Sequence, residues 1–117
     1  LIVGHHPHVV QNIERIDGVL VFYSLGNYIF DQYFSADVEE GLLLYVEANE
    51  SPYIHLIPVT SSNSLSQPHM MTPDAYTAFL KELASHSDSL LAAEIMQGRI
   101  PLFLPVATST KVAMMSW

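Results

Sequence analysis

Cysteine is absent from this chain, which excludes a disulfide framework and any thiolate metal site. Basic residues are scarce: Lys and Arg number 4 against 12 Asp and Glu, for a formal charge of −8. With no Lys/Arg stripe to displace phosphate counterions, nucleic acid is not expected as a partner. No apolar run outlasts Val19 to Tyr23, far short of the roughly 20 residues that a membrane-spanning helix needs. No membrane span is therefore expected in this chain, and no signal-peptide layout opens it. What is present is an apolar fraction of 50% in 117 residues, enough to build a globular core and too much for general disorder.

The chain opens on Leu1-Ile2-Val3 rather than on Met. This apolar run reads as the last residues of a buried strand, and the whole as a piece of something longer. Asp17-Gly18 is a tight-turn signal, because a two-residue hairpin loop demands positive φ. Val19 to Leu25 follows as a strand buried on both faces, rich in β-branched and aromatic residues, and Gly26-Asn27 ends it. Residues 41–48 and 53–59 form a second hairpin across Asn49-Glu50-Ser51-Pro52. Residues 60–68 are a Ser-rich connector, and Glu39-Glu40 reads as a solvated loop edge.

From Thr72 the period changes. Thr72 is an N-cap, Pro73 occupies the first helical position, and Asp74 complements the positive helix end. Tyr76, Phe79, Leu80 and Leu83 share one helical face. Residues 85–89 should break or kink the helix, Leu90, Leu91 and Ile95 resume the face, and Gly98 stops it. Residues 100–106 form an extended apolar stretch. The chain divides at about residue 60, into a β-rich portion (1–60) and a portion (61–117) of connector, helical segment and extended tail.

Two stretches carry chemistry. In Gly4-His5-His6-Pro7-His8, an H-x-H pair on extended backbone places both imidazoles on one side, and Pro7 biases His6 toward the β region. Neutral imidazoles suit first-row metals, but a catalytic zinc takes about three protein ligands. Asp31 is the nearest carboxylate with a reason to approach. The alternative is that three loop histidines sit in water. The second stretch, Phe22-Tyr23-Ser24-Leu25-Gly26-Asn27-Tyr28-Ile29-Phe30-Asp31, ends a buried strand in an amide at its carboxyl edge, where ligands bind in open α/β sheets. Asn27 could orient a polar ligand and Tyr28 could cover it; a plain strand end is the alternative. His55 sits in an alternating strand and reads as a surface or packing residue, while His69 and His86 carry no signal.

Gly4-His5-His6-Pro7-His8-Val9-Val10-Gln11, followed across the Asp17-Gly18 hairpin by Phe22 to Asp31, resembles the C-terminal part of bacterial capsule-synthesis proteins of the poly-gamma-glutamate (CapA) type. The strands beginning Glu40-Gly41-Leu42 and ending Leu56-Ile57-Pro58-Val59 fit as well, so the resemblance covers about residues 1 to 60. It implies an α/β fold, α+β in this piece alone: the C-terminal part of a sandwich of two β-sheets flanked by helices, similar to calcineurin-like metallophosphoesterases. It also implies that His6 and His8 are metal ligands, that Asn27 is an orienting group in catalysis, and that His5, which intervenes between Gly4 and His6, faces substrate as a catalytic acid or oxyanion partner or serves as an alternative ligand. The cofactors would be divalent ions such as Mn, Zn or Fe, with the remaining ligands lying before Leu1.

The function implied is capsule synthesis or export at the cell envelope, on the extracellular face of a membrane, anchored by a segment that precedes this chain. Its chemistry, if catalytic, would be metal-assisted hydrolysis of a phosphoryl or acyl centre. Partners would be an anionic polymer or the synthesis machinery. A non-catalytic polymer- or partner-binding module is the second reading and an inactive truncated product the third. Unpaired apolar strand edges lead us to expect self-association of this piece alone.

Overall fold

The computed structural model describes residues 1–28, 39–62 and 67–104. Its architecture is α+β, with two sheets and two α-helices among those residues. The first sheet has the order β1-β3-β2, where β1 is Ile2–Val3, β2 is Ile13–Ile16 and β3 is Val19–Phe22. Strand β1 runs parallel to β3, and β2 pairs with it antiparallel. Asp17 (φ 49°) and Gly18 (φ 81°) make the turn between β2 and β3. Both central residues hold positive φ, as the right-handed twist of a two-residue hairpin requires.

The second sheet is centred on β5 (Tyr53–Thr60), with β4 (Glu40–Glu47) antiparallel along one edge. Along the other edge lie two short strands, β6 (His69–Met70) at Val59–Thr60 and β7 (Arg99–Pro101) at Tyr53–His55. Pro58, which has no N–H to donate, falls in the interval between them, where the ladder asks nothing of it. Leu56, two residues earlier on the same edge, donates to the Gly98 carbonyl at 2.8 Å.

Helix α1 (Pro73–His86) begins as its sequence dictates: the Thr72 side chain accepts from the Ala75 N–H and Pro73 opens the first turn. It buries Leu80, Leu83 and Ala84. The break at 85–89 has a structural cause. Ser87 and Asp88 leave the helix to serve strand β2: the Ser87 Oγ accepts from the Ile13 N–H at 2.9 Å, and the Asp88 N–H donates to the Ile13 carbonyl at 3.0 Å. Asp88 also caps a 3-10 turn (Ser89–Leu91) that leads into α2 (Ala92–Gln97), ended by Gly98 in the left-handed region. One core unites these elements: Ile13, Leu20 and Phe22 from the first sheet, Leu42, Ile54, Leu56 and Ile100 from the second, and Leu80, Leu83, Leu91 and Ile95 from the helical segments.

Three details depart from the sequence reading. Leu1 to Val3, expected to be buried, are about half exposed, because β1 is an edge strand covered on one side only. Val19 and Tyr23 are exposed and the strand ends at Phe22 rather than at Leu25, so its continuous buried run is Leu20–Phe22. Glu40 is the half-buried first residue of β4 rather than a solvated edge. Residues 29–38, 63–66 and 105–117, among them Asp31 and most of the expected apolar stretch beyond Leu104, lie outside the described residues.

Candidate metal-binding turn

Strand β1 ends where Gly4 donates to the Phe22 carbonyl at 2.7 Å. Pro7, which has no N–H, sits in the loop that follows. Residues 5–8 close a turn, in which the His8 N–H donates to the His5 carbonyl at 3.3 Å and His8 adopts a φ of 61°. The extended H-x-H geometry expected from spacing is therefore not the one adopted. A turn gathers the imidazoles: the His8 ring centroid lies 5.8 Å from that of His5 and 6.3 Å from that of His6. His5 and His6 are exposed, and His8 is half-buried.

The segment after β3 forms the wall behind this turn. Gln11 donates to the Ser24 carbonyl at 3.1 Å and Leu25 to the Gly4 carbonyl at 3.2 Å, which holds residues 24–27 against the histidines. Ser24 is 1% exposed and Asn27 6% exposed, so both need internal partners. The Ser24 Oγ accepts from the Gly26 N–H at 3.2 Å and donates to the His5 carbonyl at 3.4 Å. The Asn27 Nδ2 donates to the His8 carbonyl at 3.0 Å, while its Oδ1 lies 3.0 Å from His8 Nδ1. His8 and Asn27 thus come together, with His5 and His6 on the same turn. Ser24 was missed. The available signal was a serine two residues before Gly26, a spacing at which a hydroxyl accepts from the backbone locally.

The wall is also the seam between the two sheets. Asn27 donates to the Glu40 carbonyl at 3.3 Å and Leu42 to the Leu25 carbonyl at 2.8 Å, with Gly26 bridged to Gly41. A Cβ on Gly41 would clash with the Asn27 backbone carbonyl, which the backbone must shift to relieve. Gly41→Ala is therefore expected to cost about 1–3 kcal/mol, as overpacking does, and to move Asn27 with it. Urea denaturation checks this, and an unchanged midpoint would contradict it.

The other candidates lie elsewhere. His55 pairs with Glu47 at 3.1 Å on the second sheet and stacks near Tyr45 at 5.7 Å, as a strand-surface residue should. Tyr28 is 49% exposed. The Tyr23 hydroxyl donates to Glu14 at 2.6 Å, which raises its pKa and directs it to the β2 side. A cavity of about 570 Å³, walled by Val9, Val10, Glu40, Phe79, Glu82 and His86 among others, includes none of His5, His6, His8 or Asn27. Among the described residues no three His, Cys, Asp or Glu side chains are grouped to hold a metal ion. Two imidazoles alone are at most a partial donor set for such an ion, and the one at His8 is held at Nδ1 by Asn27. No helix among the described residues is long and apolar enough to cross a membrane.

Comparison with known proteins bears on the same residues. The family described as bacterial capsule synthesis protein PGA_cap matches residues 1–32, the stretch that contains the histidine turn and its wall. The PGA biosynthesis protein CapA of Bacillus subtilis (strain 168) is 31% identical over 101 residues, 86% of this chain and 26% of that protein. The capsule biosynthesis protein CapA of Bacillus anthracis is 33% identical over 69 residues, 58% of this chain and 17% of its own length. The chain thus spans about a quarter of the curated relatives it matches, or less. The 101-residue match reaches beyond the first sixty residues, where the sequence resemblance was placed.

Proposed function

The chain belongs to the bacterial capsule synthesis family of CapA type, and from that premise we propose that it serves capsule polymer synthesis or export at the cell envelope, contributing the histidine turn of a metal-dependent hydrolytic centre. The observation that carries this reading is the meeting of His8 and Asn27 beside His5 and His6, on the stretch that matches the family. His6 and His8 would hold the metal, with further ligands from outside the described residues. A divalent ion there supplies Lewis-acid polarisation of a phosphoryl or acyl oxygen and activates water.

The protein's own residues do the rest. The turn gathers the imidazoles of His5, His6 and His8, and His5, exposed on it, would be the acid–base group toward an incoming substrate. Ser24 and Asn27 hold the turn's backbone at the His5 and His8 carbonyls, and Asn27 also meets the His8 ring. A module that simply adsorbs an anionic polymer fits less well, since the net charge is −8 and Glu40 and Glu82 face the neighbouring cavity.

Turnover of a model phosphodiester by the intact protein, with and without Mn²⁺ or Zn²⁺, tests the hydrolytic reading. The expected result is metal-dependent turnover that His8→Ala lowers by about 10²-fold or more, an effect of the size that removing one electrostatic or acid–base group produces. Metal-independent turnover, or turnover unchanged in His8→Ala, would contradict it.

A further inference from the structure

Asn27 has so far figured as a group that could orient a ligand, but the ends of its amide are used on His8 itself. A backbone carbonyl can only accept, so the bond to the His8 carbonyl fixes the amide with its NH₂ toward residue 8. The oxygen must then be the end that faces the His8 ring, 3.0 Å from Nδ1. An amide oxygen can only accept, so Nδ1 must carry the hydrogen. In a neutral imidazole the lone pair is then on Nε2.

We propose that Asn27 is a positioning residue that locks His8 in its Nδ1–H tautomer. Burial makes the lock effective. Asn27 is 6% exposed and its backbone is held in the sheet seam by the bond to the Glu40 carbonyl, so the amide cannot turn over without losing bonds that water would be slow to replace. Ser24, buried and bonded to the His5 carbonyl, fixes the other end of the same turn. The segment Ser24 to Asn27 is thus a two-point clamp on the turn. Outer partners of this kind orient metal-binding imidazoles and set their tautomer. Only this last step rests on the metal reading of His8; the lock itself is a property of the metal-free protein.

The test is ¹⁵N NMR of the intact, metal-free protein labelled at histidine, at a mildly alkaline pH where imidazoles are neutral. The His8 signals are identified by their loss in His8→Gln. Wild type should show His8 as the Nδ1–H tautomer. Asn27→Leu, which removes the acceptor, should lose that preference. A wild-type His8 in the Nε2–H form overturns the lock, as does an Asn27→Leu spectrum identical to wild type. If Asn27→Leu does not fold, the wild-type tautomer decides the matter alone. A titration with Zn²⁺ then separates the two ideas. Binding about 10–100-fold weaker in Asn27→Leu than in wild type is expected. A locked His8 in a wild-type protein that binds no Zn²⁺ or Mn²⁺ would end the metal reading and leave the lock standing.

Discussion

Phe22→Ala should destabilise the protein by about 3–5 kcal/mol, the range for truncating a buried aromatic side chain. Against a typical total of about 5–15 kcal/mol, that is enough to bring the fold near its threshold. The size follows from position. Phe22 is 1% exposed on the central strand β3, in register with Val3 on one side and Ile13 on the other. It belongs to the core that joins both sheets to the helices. These elements are tied together by the backbone as well, so the cavity has little freedom to collapse. Ile2 on the edge strand is 58% exposed, and Ile2→Ala should shift the urea midpoint far less. A Phe22→Ala shift no larger than that of Ile2→Ala would show that the core is not centred where the structure places it.

Much of this fold was legible because local chemistry and tertiary structure agree. Asp17-Gly18 could only be a turn, and the alternation through β5 buries Ile54, Leu56 and Pro58 while leaving Tyr53, His55 and Ile57 half-buried. The Thr72 cap and the Gly98 stop are both used as read. Other features depend on partners that are distant in sequence. Nothing local marks His69–Met70 as a strand, and Arg99–Pro101 overlaps only the start of the extended stretch read at 100–106; both become strands by pairing with the second edge of β5. The Ser-rich break at 85–89 was visible, but its purpose, satisfying the Ile13 backbone more than seventy residues away, was not. Arg15 is similar: its guanidinium donates to the Pro101 and Leu102 carbonyls at 2.7 and 3.1 Å, tying β2 to the end of the described chain. Burial lowers its pKa, with Glu94 and Asp88 opposing the shift.

At the candidate site, the nearness of His5, His6 and His8 was legible and their geometry was not. Spacing alone put His6 and His8 on one side of an extended segment, whereas Pro7 and the positive φ of His8 turn the chain back. The association of His8 with Asn27 depends on how residues 24–27 are gripped between the turn and β4, which a pattern within either segment does not encode. Gly41 is a further case. In sequence it is the start of an apolar strand, and only the seam shows that a side chain there would meet the Asn27 carbonyl.

The central claim is that the histidine turn binds metal through His8, and the most direct test is the metal content of the purified intact protein. Wild type, His8→Ala and His55→Ala would be loaded with Mn²⁺ or Zn²⁺, passed through a desalting column and measured by elemental analysis. His8 lies beside His5 and His6 with Asn27 at its Nδ1, whereas His55 pairs with Glu47 on the other sheet. Loss of a ligand should weaken binding by more than the about 10–100-fold that loss of an outer partner costs. The account predicts that His8→Ala leaves the column depleted of metal while His55→Ala retains the wild-type content. Full retention by His8→Ala, or equal loss from both variants, would contradict it.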